Sequence, residues 1–361
     1  MPRMAVFSAP GRSIEMAEVA MPTPQTREIL VSVACCTLCR SDLHTHSGRR
    51  VEPTPAVLGH EIVGRVLAFG PETPRTDSAG NPIDVGSRVS WSVAVGCGAC
   101  FFCTHELPQK CERPFKYGHQ RLSIDRPHGG GLADFVLLVP GTVIHRVPDE
   151  LIDAVAALAN CATATAVAVL RAGGSAAGRS VLVLGAGVLG LTACAMARAQ
   201  GASSVLVSDP MPAARERAKR FGATHTFPGD SDLINQVREA TAGRGADLVL
   251  ELAGAADTVR AALTAARVGG RVVLAGTVAP VGTVPLDPEQ AVRRMLTIHG
   301  VHNYHPDDLG DALAFLAGPG RKYPWADLVA AHYPLSKVER AFADAHAQPG
   351  VRVAVTPEAS A

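Results

Sequence analysis

Val181-Leu182-Val183-Leu184-Gly185-Ala186-Gly187-Val188-Leu189-Gly190 decides how the second half of this chain folds. Consecutive apolar residues stopped by glycine read as a strand buried on both faces, and the Ala-rich apolar run 191–199 after them reads as a helix. The G-x-G-x-x-G between the two gives each glycine a separate task. Gly185 permits the tight turn, Gly187 lets a pyrophosphate approach the backbone at the helix N-terminus, and Gly190 lets helix and strand pack closely. Asp209 ends the next strand about twenty residues further on, where a carboxylate accepts the ribose hydroxyls of NAD. The same charge repels a 2′-phosphate, so NAD is expected over NADP. Arg215 and Arg217 follow closely and keep NADP in view, although both also suit a solvated helix face.

Outward from this motif, apolar strands at 204–207, 247–250 and 271–274 alternate with helical segments from about Asp153, the pattern of a parallel sheet covered on both faces. The preceding region carries short β-branched runs, such as 29–33 and 61–66, broken by Pro and Gly, which describe a compact, mainly antiparallel β-domain. Near His299 the regularity fades, and the tail from Tyr304 reads as helices and a last strand at 351–355. With 361 residues, 47% hydrophobic and 19% charged, the chain suits two globular domains. A formal net charge of +1 gives no general attraction to nucleic acid or an anionic membrane, so small molecules are the expected partners. The opening Met1-Pro2-Arg3-Met4 leads into a strand-like run rather than an apolar signal, and no stretch approaches the roughly 18 apolar residues a membrane span needs; a cytoplasmic location is expected.

The sequence has nine cysteines. Cys97, Cys100, Cys103 and Cys111 form C-x2-C-x2-C-x7-C in a loop that also carries Gly96, Gly98 and Pro108. Thiolates at these intervals can converge on one tetrahedral zinc, and four protein ligands leave no open position, so the expectation is a structural zinc lobe. Two further cysteines and a histidine form a second set: Cys39 in Cys36-Thr37-Leu38-Cys39-Arg40-Ser41-Asp42-Leu43-His44, His60 in Gly59-His60-Glu61, and Cys161 in Asn160-Cys161-Ala162. Two thiolates and one imidazole leave a fourth zinc position for an alcohol, whose pKa falls so that a hydride can pass to a nicotinamide. Singly, each of these residues suits a core role; the joint pattern carries the argument. Cys35, Cys36 and Cys194 read as small buried side chains.

These motifs together resemble the zinc-dependent medium-chain alcohol dehydrogenases over essentially the whole chain. The resemblance implies an α/β enzyme with a GroES-like, mainly-β catalytic domain and a Rossmann doubly wound parallel-sheet domain. Residues 1–153 would form the catalytic domain with its zinc lobe at about 96–112, residues 154–301 the dinucleotide-binding domain, and residues 302–361 a return to the catalytic domain. It implies Cys39, His60 and Cys161 as catalytic zinc ligands, Asp42 as the carboxylate orienting His60, and Glu61 as a transient ligand. Arg40 and Arg352 match positions that contact the cofactor pyrophosphate, and Ser41 with His44 matches a proton relay through the cofactor ribose. Two zinc ions per chain and NAD are the implied cofactors, in a cleft between the domains.

The segments 91–93, 101–103, 108–111, 116–119 and 301–304 are similar to a subgroup associated with phosphonate catabolism. Arg49 and Arg50 then fall, with Val93, Lys116 and His302, among residues that would line the substrate pocket, and an arginine can grip a phosphonate through paired charged hydrogen bonds. One alternative is a zinc dehydrogenase for polyols, sugars or threonine; such enzymes often replace the third cysteine ligand with an acidic residue, which Cys161 argues against. A second is a non-catalytic dinucleotide-binding protein of structural or regulatory role, which the retained ligands argue against. The resemblance also implies a homodimer or homotetramer, with 270–284 and 297–300 as the interface edge or, otherwise, ordinary internal sheet.

Overall fold

The apolar run at 181–184 forms the strand Ser180–Leu184, buried along nearly its whole length, and sits inside a six-stranded parallel sheet. In a computed structural model that describes residues 1–123 and 129–358, the chain divides into two units. One unit, Ala162–Tyr304 with Gly318–Pro324, contains this sheet. Its strand order is His225–Phe227, Ser204–Ser208, Ser180–Leu184, Ala246–Glu251, Ala266–Leu274, Thr297–Gly300. The first strand in sequence lies between the second and the fourth, so the winding reverses there, and a crevice is expected at the carboxyl ends of Ser180–Leu184 and Ala246–Glu251. Leu182, Leu206, Val249 and Val272 fill the core of this unit. Helix Val188–Ala199 is buried on most of its surface, which explains its almost unbroken apolar sequence.

The other unit, Met1–Cys161 with His305–Ala317 and the segment from Trp325 onward, is built on a seven-stranded, mostly antiparallel sheet. Ile29–Thr37 lies at its centre, paired antiparallel with Glu61–Phe69, Phe135–Leu138 and Arg352–Thr356. The last strand therefore returns the C-terminal region to the sheet formed by the N-terminal third, and it brings Arg352 with it. Phe7, Val31, Ile62, Trp91, Phe342 and Val353 are among the buried residues of this core.

The unit boundary differs from the expected 153/154 division. Helix Asp153–Ala157 packs on Ile29–Thr37 and Glu61–Phe69, and the turn Leu158–Asn160 packs on Glu61–Phe69. Asn160 secures them, accepting from Ile62 N–H at 3.3 Å and donating to the Trp91 carbonyl at 3.0 Å. The first unit thus runs on to Cys161, keeping that residue with the sheet that carries Cys39 and His60. The return begins at His305 rather than 302, and residues Gly318–Pro324 stay with the parallel sheet, where Tyr323 stacks on Phe221. Of the two segments considered for an interface, 270–284 begins in the internal strand Ala266–Leu274 and continues beyond it, and Thr297–Gly300 is the outer strand. Cys35, Cys36 and Cys194 are buried, and burial pushes the Cys35 and Cys194 thiols up to about 12. Among the described residues no single helix is long and apolar enough to cross a membrane.

Candidate active site

Strand Ile29–Thr37 leads through Leu38 to Cys39, which precedes the short helix Arg40–His46. Asp42, fully buried on the first turn of that helix, accepts from Cys39 N–H at 2.8 Å and Gly59 N–H at 3.2 Å, and its Oδ1 lies 3.1 Å from His60 Nδ1. One carboxylate thereby ties the start of the helix, the turn before His60 and the imidazole itself. A proton on Nδ1 satisfies Asp42 and leaves the Nε2 lone pair free for a metal. The ligand atoms of Cys39, His60 and Cys161 all lie within 4.8 Å of one another. Cys39 Sγ and Cys161 Sγ are 3.8 Å apart, and a tetrahedral zinc with Zn–S bonds of about 2.3 Å separates two sulfurs by about 3.8 Å. The donor set and its spacing fit zinc.

The electrostatics agree. The hydrogen bond between Cys39 and Cys161 holds the Cys39 thiol well below its usual range and Cys161 well above it, with burial opposing the first and reinforcing the second. A divalent cation would displace the remaining thiol proton and stabilise both as thiolates. Behind the thiolates, Arg352 is buried; its Nε and Nη2 each bond Glu61 at 2.8 Å, and Nη2 lies 3.5 Å from Cys39 Sγ. Thr37 Oγ1 donates to Glu61 at 2.6 Å. Burial raises the Glu61 pKa while the guanidinium pulls it down. In this arrangement Glu61 is engaged by Arg352 and Thr37, and the guanidinium Nη1 carries no contact to Glu61.

Ser41 Oγ lies 3.3 Å from His60 Nε2, beside the ligand atom. His44 lies one turn further along the same helix, half-buried, and burial together with Arg40 and Arg49 lowers its pKa. Arg40 is exposed at the first helical position. The helix ends with Gly48 at φ +77° and Arg50 N–H donating to the His44 carbonyl at 3.0 Å, which fixes Arg50 over the helix C-terminus.

The four-cysteine lobe closes as its spacing predicts. The ligand atoms of Cys97, Cys100, Cys103 and Cys111 lie within 4.8 Å of one another, and Cys100 Sγ and Cys111 Sγ are 3.9 Å apart. Cys111 Sγ accepts from the backbone of Cys97 at 3.2 Å and of Arg113 at 3.3 Å, as a metal-bound thiolate commonly does. Gly96 has a steric reason: a Cβ there would stand 2.9 Å from Cys103 Sγ.

In the parallel-sheet unit the three glycines separate by role. Gly185 has φ +98°, and a Cβ on it would meet the Ala253 backbone at 2.9 Å; a Cβ on Gly190 would meet the Gly185 carbonyl oxygen at 1.9 Å. A Cβ on Gly187 meets nothing within 4 Å, so no steric contact within the protein requires a glycine there. Asp209 Oδ2 accepts from Ala186 N–H at 2.8 Å and Oδ1 from Met211 N–H at 2.9 Å. Beside them lies a cavity of about 380 Å³ lined by Gly185, Asp209, Asp230, Ala253 and Asp257 among others. Arg215 Nη1 donates to the carbonyls of Asp209 and Pro210 at 2.7 and 2.9 Å.

The residues expected around the substrate are spread more widely. Arg50 forms an ion pair with Glu52 at 2.5 Å, Lys116 lies on the short strand Phe115–Lys116, Arg49 is exposed and Val93 is half-buried. His302 is exposed and belongs to the parallel-sheet unit, so the two groups lie on different units. Sequence reasoning missed Thr37, Asn160, Glu52 and His119. Asn160 stood next to a named ligand, and Glu52 two positions from a named arginine, but their partners are distant in sequence.

A zinc-binding dehydrogenase family model matches residues 188–318, and an alcohol dehydrogenase GroES-like domain model matches residues 25–149. The chain is 32% identical over 303 residues to an L-threonine 3-dehydrogenase of Pyrococcus horikoshii, covering 82% of this chain and 81% of that one. It is 31% identical over 349 residues to the 5-exo-hydroxycamphor dehydrogenase of Pseudomonas putida, covering 94% of each. An alcohol dehydrogenase structure from Thermotoga maritima matches with a TM-score of 0.92 at 26% identity over 99% of both chains. The chain belongs to the zinc-binding medium-chain alcohol dehydrogenase family, whose members are oxidoreductases using zinc and a nicotinamide dinucleotide.

Proposed function

We propose that this enzyme interconverts an alcohol and an aldehyde or ketone by hydride transfer to or from NAD. The observation that carries the reading is the set of Cys39, His60 and Cys161 at zinc-ligand spacing, three donors with a fourth position left for substrate. Zinc held there makes an alcohol hydroxyl acidic near neutral pH, and the nicotinamide accepts the hydride. The protein's part is to place and move charge. Asp42 fixes the His60 ring, and Ser41 would accept the hydroxyl proton while passing its own through the cofactor ribose to His44, which would release it to solvent. Arg40 and Arg352 are assigned to the cofactor pyrophosphate, while Glu61 keeps Arg352 in place and would be available as a transient zinc ligand.

NAD is the proposed cofactor because Asp209, Asp230 and Asp257 line the cavity beside Gly185, a poor setting for a 2′-phosphate. Arg215 spends its Nη1 on two backbone carbonyls. Asp209→Gly is expected to raise the NADP-to-NAD ratio of kcat/KM at least tenfold.

The proposed substrate carries an anionic group such as a phosphonate. Arg40 and Arg49 lie near His44, and Arg50 and Lys116 lie near His119, whose ring centroid is 4.9 Å from that of His60, so four cations flank the site, one of them paired with Glu52. A second reading, a threonine-type dehydrogenase, is favoured by the similarity to the Pyrococcus horikoshii enzyme. A spectrophotometric screen of the zinc-loaded protein separates them. Selective turnover of hydroxyalkylphosphonates supports the first, turnover of threonine the second, and turnover of neutral alcohols or polyols alone removes both while keeping the zinc chemistry.

Self-association is proposed to use the outer strand Thr297–Gly300. Its residues are exposed, and Val268, Met295 and Ile298 are exposed apolar side chains on or near it.

A further inference from the structure

Glu52 lies between Arg50 and His119, close to the His60 ring. Its Oε1 is 2.5 Å from Arg50 Nη2 and 3.5 Å from His119 Nδ1. Burial and Arg50 lower the Lys116 pKa while Glu52 raises it, so Lys116 lies within electrostatic reach of both. The Glu52 side chain is 15% exposed, that of Arg50 25% and that of His119 5%, so the carboxylate lies in a sheltered cluster in which Arg50 and Lys116 are the cations. Rigid backbone builds the cluster from two sides. Arg50 is pinned by its N–H to the His44 carbonyl at 3.0 Å, and Lys116 and His119 are held by Tyr117, which donates its N–H to the Val93 carbonyl and receives Val139 N–H on its hydroxyl, each at 2.9 Å. His119 in turn packs on the His60 ring.

We propose that Glu52 is an internal occupant of an anion subsite formed by Arg50, Lys116 and His119, and that the acidic group of the substrate displaces it. The inference rests on the reading of Cys39, His60 and Cys161 as the reaction centre. A carboxylate and a phosphonate make the same paired contacts with a guanidinium, so Glu52 competes with the substrate's anion and leaves a neutral alcohol without a competitor. Glu52 then acts as a specificity-determining residue: it keeps small buffer anions out and admits only substrates whose remaining contacts outweigh it.

The test is calorimetric titration of the zinc-loaded protein and of Glu52→Gln with methylphosphonate and, separately, acetate. Glu52→Gln is expected to bind one or both about tenfold tighter, a gain that added salt erodes, as expected when a neutralising carboxylate leaves a cationic site. Adding Lys116→Gln to Glu52→Gln reverses the gain and places it in this cluster rather than at zinc. Should Glu52→Gln fail to fold, Glu52→Ala, which also removes the carboxylate charge, is read the same way. Affinities within twofold of the unmodified protein, or a gain that survives Lys116→Gln, would overturn the proposal. Turnover of a neutral alcohol, measured alongside, reports separately on the zinc reading.

Discussion

Asp42 makes three contacts with two oxygens, to Cys39 N–H, Gly59 N–H and His60 Nδ1. Replacing it with Asn keeps the shape but offers His60 an acceptor without charge, so Asp42→Asn is expected to weaken catalytic-zinc binding about 10- to 100-fold, in line with other carboxylate–histidine–metal arrangements. The lobe zinc should stay, and metal analysis during mild chelation reads the two sites separately. Thiol reactivity gives a second check. Cys35, Cys36 and Cys194 are buried, and alkylation of the native zinc-loaded protein should leave them untouched while chelation exposes the lobe cysteines to reagent. At this scale the two clusters of donor atoms were legible because residue type and spacing carry the chemistry. Glu52 and His119 were not, since an acid and a histidine about 67 positions apart show no pattern until the fold brings them to 3.5 Å.

The turn after Ser180–Leu184 separates a ligand requirement from a folding requirement. Gly190→Ala puts a Cβ 1.9 Å from the Gly185 carbonyl and should cost about 1–3 kcal/mol of stability through overpacking, read as a lower denaturation midpoint. Gly187→Ala meets no protein atom within 4 Å; it should leave the midpoint nearly unchanged yet weaken NADH binding measured by fluorescence. A pH effect belongs to the neighbouring strand. Burial pushes Asp247 up, but hydrogen bonds from Arg267 and from Ser180 N–H and Oγ hold its carboxyl below the ordinary carboxylate range. A depressed folded pKa gives stability that is present above the unfolded value and lost as pH falls through the folded one. Asp247→Asn should therefore destabilise near pH 7 and flatten the stability loss below about pH 4, checked by denaturation across pH. The strand and turn were legible from local sequence. The end of the first unit was not, because Asn160 joins the earlier sheet through Ile62 and Trp91, contacts that no local periodicity encodes.

Across the whole molecule, the last strand Arg352–Thr356 pairs with Ile29–Thr37 and carries Arg352 to Glu61. Two units and the alternation of the parallel one were readable from composition and period, and the return of the tail was readable only through family resemblance, since antiparallel pairing over such a separation leaves no mark on either strand. If Thr297–Gly300 joins protomers, Ile298→Lys should shift the protein toward a single chain in sedimentation without loss of the fold; an unchanged assembly places the interface elsewhere. The most direct test of the central claim pairs zinc analysis with cofactor reduction for the unmodified protein and for Cys161→Ala. Two zinc ions per chain with alcohol-dependent reduction of NAD, against one zinc and no reduction in Cys161→Ala, is the predicted result; a Cys161→Ala protein that keeps both zinc ions and full turnover would contradict it.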